Sequence, residues 1–386
     1  MARVLRGPWA RALAVFALAL ALRVAFLRVV PQPAAGQLDL YAEDSVHYVA
    51  VAQGLLAGHG YSFWGGPPDA YVSPGYPVFL AAVFHLFPAS PLGAVRLAQA
   101  VLGAATAALA AGWVGLLAGV LVALYPPFIW STGSILTEVL FLFLLMAYLA
   151  LHARLLAAPR GSAPRWVAAG AGVMAGLAIL TRPEAAALPL VIGALVYLRR
   201  RLATGLGTLL LAAAVVNLPW WIRNLVVLHR LILFATQAAN PLLGGLLPGG
   251  AQVQAPPGSS PYAFALAMVW AQLHTDPRAF LLWMTIGHWG AALSQPYAGG
   301  TLNGGFLQGL AAYQQLFCWV GAAGLVFAAI FRPRLRVAVL AAAVFMVLLS
   351  VFIPSPRYAY PLMAMLAIGA GALLSGLLSL TRAASG

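Results

Sequence analysis

Only seven acidic residues occur in this chain of 386, and two of them are adjacent: Glu43 and Asp44, within Tyr41-Ala42-Glu43-Asp44-Ser45-Val46-His47-Tyr48. Two neighbouring carboxylates can form an acidic centre at a membrane surface. The plainer reading is that Asp44 or Ser45 caps the helix that begins here, with Tyr48, Val51, Ala52, Leu55 and Leu56 along one face. Further ionisable groups stand in Leu136-Thr137-Glu138, Thr181-Arg182-Pro183-Glu184, Pro219-Trp220-Trp221-Ile222-Arg223-Asn224 and Pro356-Arg357-Tyr358-Ala359-Tyr360-Pro361. Taken singly, each has a bland explanation, since an arginine at a membrane edge snorkels and a glutamate there is hydrated. His47, His59, His85, His274 and His288 lack ligand-like spacing with the acids, so the pattern defines no metal site. The lone Cys318 excludes a disulfide framework within the chain and any cysteine-rich metal site.

These groups stand out because the rest of the chain is so apolar. Hydrophobic residues make up 63% and charged ones 7%, with a mean hydropathy of +0.93, whereas a soluble domain carries about a quarter charged residues. An ordinary cytosolic enzyme and a disordered protein are both excluded. The composition predicts an all-α, polytopic transmembrane helical bundle of about ten spans. All 21 basic residues are arginine. A formal charge of +14 would suggest nucleic acid in a soluble protein; beside membrane spans it reads as topology and anionic-lipid contact instead.

Spans are expected near residues 12–30, 92–112, 113–130, 138–157, 166–181, 184–199, 204–221, 310–331, 336–353 and 361–380. Residues 31–91 form a first outer loop with interfacial helices, and 222–309 a second. The stretch Pro277–Leu293 reads as an interfacial or re-entrant helix. The first stretch could also be a signal peptide, because its uninterrupted apolar core is short and small residues follow it. Taken as a retained span with its N-terminus inside, it gives a threading that leaves 13 of the 21 arginines in inner termini and short loops, and all seven acids at the outer face. The whole chain then reads as one integral-membrane domain of the plasma (inner) membrane, multi-pass, with both termini cytoplasmic.

In order along the chain, the acidic pair after the first span, Ser73-Pro74-Gly75-Tyr76-Pro77, Leu136-Thr137-Glu138, Thr181-Arg182-Pro183, the Pro219–Asn224 motif and Arg357-Tyr358 resemble the GT-C superfamily of polyprenyl-phosphate-sugar-dependent glycosyltransferases. The branch they resemble contains protein O-mannosyltransferases, lipid A aminoarabinose transferases and related bacterial sugar transferases. The resemblance implies transfer of a sugar, with inversion, from a lipid-linked phosphate to a hydroxyl of a protein, lipid or polysaccharide on the outer face. It makes Asp44 the base and Glu43 its partner or a sugar ligand; repulsion within such a pair suits one carboxylate to accept a proton near neutral pH. Arg223 and Arg357, with Tyr358, become the donor-phosphate contacts, because guanidinium groups match phosphate geometry. His47, Tyr48 and Arg182 play supporting parts. Glu138 either binds the sugar, positions the arginines or forms a structural ion pair with Arg182. No cofactor is called for, although a divalent cation could bridge Glu43-Asp44 and the donor phosphate.

The chain departs from the family in two ways: the inner loop between the second and third spans is reduced to about Gly112-Trp113, and the chain stops after its tenth span. A transporter or lipid flippase is the competing reading. Transporters place charges near the midplane and show paired repeats, while this sequence keeps its acids at one face and shows no repeat. A non-catalytic assembly partner is a third, and the retained acids and arginines argue against it.

Overall fold

The computed structural model describes residues 7–29, 43–157, 159, 164–248, 253–297 and 304–384, with the backbone alone at Glu43 and at residues 238–239, 304–308 and 382–384. Among the described residues every regular element is helical. Six helices are long and apolar enough to cross a membrane: α1 (Pro8–Val29), α4 (Pro91–Trp113), α7 (Glu138–Ala157), α10 (Ala203–Leu228), and the stretches Gly309–Phe331 of α15 (Gly304–Phe331) and Pro356–Thr381 of α17 (Pro356–Ala384). The other four expected spans are shorter or interrupted, and prolines mark the breaks. Residues 113–130 divide at Tyr125-Pro126 into α5 (Leu116–Leu124) and α6 (Pro126–Trp130), and α8 (Arg165–Thr181) stops short of Pro183. The next stretch passes through a 3-10 turn (Pro183–Ala186) and a π turn (Leu188–Gly193) before α9 (Ala194–Arg199). Helix α16 (Arg336–Leu349) has 14 residues and lies between Pro333 and Pro354. Proline removes a helical hydrogen bond and biases its predecessor toward extended backbone, so an apolar stretch can be long without being one helix.

The bundle is a chain of neighbours. Helix α1 packs on α4, α4 on α5 and α7, α7 on α8, and α8 on α10, while α17 receives α5, α15 and α16. Helices α4 and α5 join with almost no loop, as the Gly112-Trp113 reading expects, through Gly115 at φ +144°, a conformation that only glycine adopts without strain. Helices α15 and α17 cross at glycines. A Cβ added at Gly321 would stand 2.6 Å from the Leu366 Cβ, and one at Gly324 would run into the Gly369 carbonyl. Small residues let helix backbones approach closely where lipid provides no hydrophobic drive for association.

The described part of the first long loop is a packed layer. Helices α2 (Glu43–Leu56) and α3 (Gly75–Leu86) bury Tyr48, Val51, Ala52, Tyr76 and Leu80 against Ile135, Leu136 and Trp220; of the apolar face expected for α2, Leu55 is only partly buried and Leu56, at the helix end, is exposed. In the second loop, α11 (Ala239–Leu243) and α12 (Pro261–Thr275) precede the Pro277–Leu293 stretch. That stretch is helical throughout as α13 (Pro277–Leu282), a π turn and α14 (His288–Leu293). Its buried His288 lies 2.8 Å from the carbonyls of both Leu349 and Gly245, and Trp289 Nε1 donates to the Met346 carbonyl at 3.1 Å. These bonds dock the stretch against α16.

Overpacking a close helix crossing costs about 1–3 kcal/mol, often more. Gly324→Leu is therefore expected to lower the unfolding temperature in detergent by several degrees. Gly207→Leu, at a helix position where an added Cβ meets open space, should leave it within a degree.

Candidate active site

Proline and glycine deliver the charged groups to one end of the bundle. Pro183 ends α8 and leaves Arg182 extended, at φ −146° and ψ 119°, so its side chain departs from the helix axis. Glu138 opens α7, where the positive end of the helix dipole favours a carboxylate. Gly75 opens α3 against the end of α8: a Cβ there would lie 2.6 Å from the Leu180 carbonyl oxygen, which holds Ser73 close to Thr181. The loop before Glu138 is pinned from α4, where Gln99 Nε2 donates to the carbonyls of Thr132 and Ser134 at 3.0 and 2.8 Å and Arg96 Nε to that of Gly133 at 3.0 Å. Tyr76 completes the tie by donating to Gln99 Oε1 at 2.8 Å.

The centre is a chain of ion pairs. Arg357 Nη1 donates to Asp44 Oδ2 at 2.7 Å and its Nε to Glu138 Oε1 at 2.5 Å. Arg182 Nη1 reaches the same Glu138 oxygen at 3.5 Å, while its Nε donates to Glu184 Oε1 at 2.5 Å. The Glu138 side chain is 1% exposed and that of Arg182 9%, against 24% for Arg357 and 42% for Asp44. Glu138 and Arg182 therefore form a buried base with the half-buried Glu184 at its edge, and the Asp44–Arg357 pair is the part that solvent reaches most. Arg182 also lies 5.5 Å from the centroids of the Phe141 and Tyr358 rings, a cation–π arrangement. Burial works against its charge, but Glu184 and Glu138 outweigh that and hold the guanidinium above its ordinary pKa. Burial, reinforced by Asp44, raises the Tyr48 phenol above its usual range and keeps it neutral.

A cavity of about 140 Å³ opens over this centre, lined among others by Asp44, Tyr48, Ser73, Arg182, Arg357 and Tyr358. The Ser73 hydroxyl is buried and has no hydrogen-bond partner among the described residues. Glu184, Ser73 and Gln237 also line the cavity, and sequence reading assigned none of them a role. The signals for the first two were their neighbours Arg182 and Pro74-Gly75.

Two expected site residues lie elsewhere. Arg223 is a brace: Nη1 donates to the Asp69 carbonyl at 2.6 Å and to Asn224 Oδ1 at 3.0 Å, and Nη2 to the Tyr61 carbonyl at 2.8 Å. The rest of its motif works the same way. Trp220 and Trp221 donate their indole N–H groups to the Phe234 and Leu233 carbonyls at 2.9 Å, and Asn224 to that of Ile232 at 3.0 Å. The returning backbone then pairs with the first loop through Thr236 N–H to Ala70 and Gln237 N–H to Tyr71, which carries Gln237 to the cavity. His47 stacks on Phe63 at 4.6 Å between centroids, with Nδ1 3.1 Å from the Phe63 carbonyl. The Glu43 side chain, and with it the carboxylate pair, lies outside the described residues. Among the described residues no group of three or more His, Cys, Asp or Glu is placed to hold a metal ion.

No protein-family model and no curated protein matches the sequence. Among solved structures, the chain is similar to the oligosaccharyltransferase of Archaeoglobus fulgidus tethered with an acceptor peptide containing the NVT sequon, at 14% identity and a TM-score of 0.59, covering 97% of this chain and 50% of that one. It is also similar to ArnT from Cupriavidus metallidurans bound to undecaprenyl phosphate, at 18% identity and a TM-score of 0.50, covering 94% and 58%. The chain thus spans between half and three fifths of the length of these two structures, and what it shares with them is the GT-C fold.

Removing one member of a buried ion pair strands the other's charge at a cost of about 3–5 kcal/mol, whereas an exposed pair contributes about 0–1. Glu138→Gln is therefore expected to lower the unfolding temperature markedly and Asp44→Asn hardly at all, both read by thermal melts in detergent. Arg223→Met should hasten proteolytic nicking within residues 57–74 and leave the cavity's ion pairs intact.

Proposed function

We propose that this chain, built on the GT-C fold, is a membrane glycosyltransferase that moves a sugar from a polyprenyl-phosphate donor to an acceptor hydroxyl at the outer membrane face. The observation that carries this reading is the convergence of Asp44, Arg182 and Arg357 on one cavity from positions up to 313 residues apart, with Glu138 holding the two guanidiniums from beneath. A structural ion pair needs two such groups. A carboxylate and a guanidinium sharing a partly open cavity are what an acid–base group and a phosphate ligand require.

Arg357 holds Asp44. A donor phosphate brings a stronger, two-oxygen partner for the guanidinium, and Asp44 is released to face the acceptor. The acceptor oxygen attacks the anomeric carbon from the face opposite the phosphate, and Asp44 takes the hydroxyl proton. The bond from that carbon to the phosphate oxygen breaks, its electron pair leaves with the phosphate, and Arg357 and Arg182 stabilise the added charge. Glu138 is a positioning residue that holds both guanidiniums. Arg223 stabilises the loops around the cavity and does not touch the phosphate.

The lipid tail fits an apolar groove of about 700 Å³ between α14, α15, α16 and α17, lined by Trp289, Leu293, Trp319, Met346, Leu362 and Leu366. Leu362 is one helical turn beyond Tyr358 on α17, so the groove continues the cavity along one element.

A general base supplies roughly 10²–10⁴-fold of rate. Asp44→Asn should cut transfer by that order while the protein still folds and inserts, with product read by mass spectrometry of membrane glycans and of polyprenyl-phosphate sugars. Arg357→Met should produce a similar loss and Arg223→Met a much smaller one. Wild-type turnover in Asp44→Asn would overturn the assignment of the base.

A further inference from the structure

At the end of the bundle away from Asp44, α1, α4 and α7 part to leave a second groove, of about 520 Å³. Its walls are mostly apolar, with Ala12, Phe16, Ala105, Ala108, Ala150 and Ala153 among them, and among the described residues no Asp or Glu lines it. Three donors are among its lining residues: Arg154 and Arg334, both exposed, and the partly buried Trp113. The Trp113 Nε1 atom is buried without a hydrogen-bond partner among the described residues. Neither arginine is ion-paired among the described residues.

A buried indole N–H left unpaired costs about 1–3 kcal/mol, and two arginines without an acidic partner among the described residues share its lining. A water molecule could satisfy the indole, but would not account for an apolar trough leading to two cations. An apolar helix laid in the trough would leave all three donors without acceptors. The complementary molecule has a flexible apolar chain and a compact, anionic, acceptor-rich head, which is the chemistry of a phosphodiester-headed lipid. We propose that this groove binds one anionic phospholipid, with an acyl chain along the alanine-lined wall and the phosphate at Arg154, Arg334 and Trp113. With no carboxylate in the lining, nothing there receives a cationic headgroup, so a net-negative lipid is preferred to a zwitterionic one. The site lies at the other end of α7 from Glu138 and does not depend on the proposed glycosyl transfer.

The test is titration of the purified full chain with phosphatidylglycerol and with phosphatidylcholine, read by native mass spectrometry and by thermal melts in detergent. The wild type is expected to hold one phosphatidylglycerol on the order of tenfold more tightly than phosphatidylcholine, as two arginines near a phosphate imply. Arg154→Gln with Arg334→Gln should abolish that preference, and Ala108→Trp, which fills the groove, should abolish retention of the lipid. Arg199→Gln with Arg201→Gln, which removes two arginines outside the groove, should change neither. Unchanged preference in the Arg154/Arg334 variant, or an equal loss in the Arg199/Arg201 variant, would overturn the site. Stabilisation by inorganic phosphate matching that by phosphatidylglycerol would overturn the role of the acyl chain.

Discussion

The carboxylate of Glu138 is the constraint on which the rest of the site depends. An ion taken out of water costs several kcal/mol even after relaxation, and only good geometry with more than one partner offsets it. Glu138 has that geometry because α8 and α17 each bring a guanidinium to it, and the start of α7 favours its charge. One buried acid thereby fixes three helix ends relative to one another. Asp44 and Glu184 are held by the same two arginines, so the cavity wall follows from a single burial.

The scarcity of charge made much of this legible in the sequence. In a chain 7% charged, each ionisable group near a span is conspicuous, and Asp44, Glu138, Arg182 and Arg357 meet in the structure. Arg223 shows where that logic stops. It has the same residue type and the same helix-edge setting as Arg357, yet its donors go to backbone carbonyls at Tyr61 and Asp69. Nothing in local spacing tells which loop will pass over a helix end; that depends on how residues 61–72 fold back. His47 lies outside the cavity lining for a related reason, since its ring is held by Phe63, sixteen positions on.

The span pattern was readable to a similar degree. Hydropathy located the apolar stretches, and the period of α2 located most of its buried face, Tyr48, Val51 and Ala52, but not the exposed Leu56. Continuity was harder to read. The break at Arg182-Pro183 was legible from its proline and charge, but a sliding window averages across Tyr125-Pro126 while the backbone cannot, and so ten apolar stretches become six long helices and four shorter or broken ones.

Helix α17 carries Arg357 at its start and Leu366 within the apolar groove. Nine residues of α-helix rise about 13 Å, and a helix is stiff along its axis. The protein therefore owns a built-in gauge between a cationic anchor and a greasy channel. On the proposed reading, a lipid-linked donor would be measured against it by how far its charge lies from its first flexible hydrocarbon units, so discrimination among lipids would begin with spacing and only afterwards turn to the identity of the head.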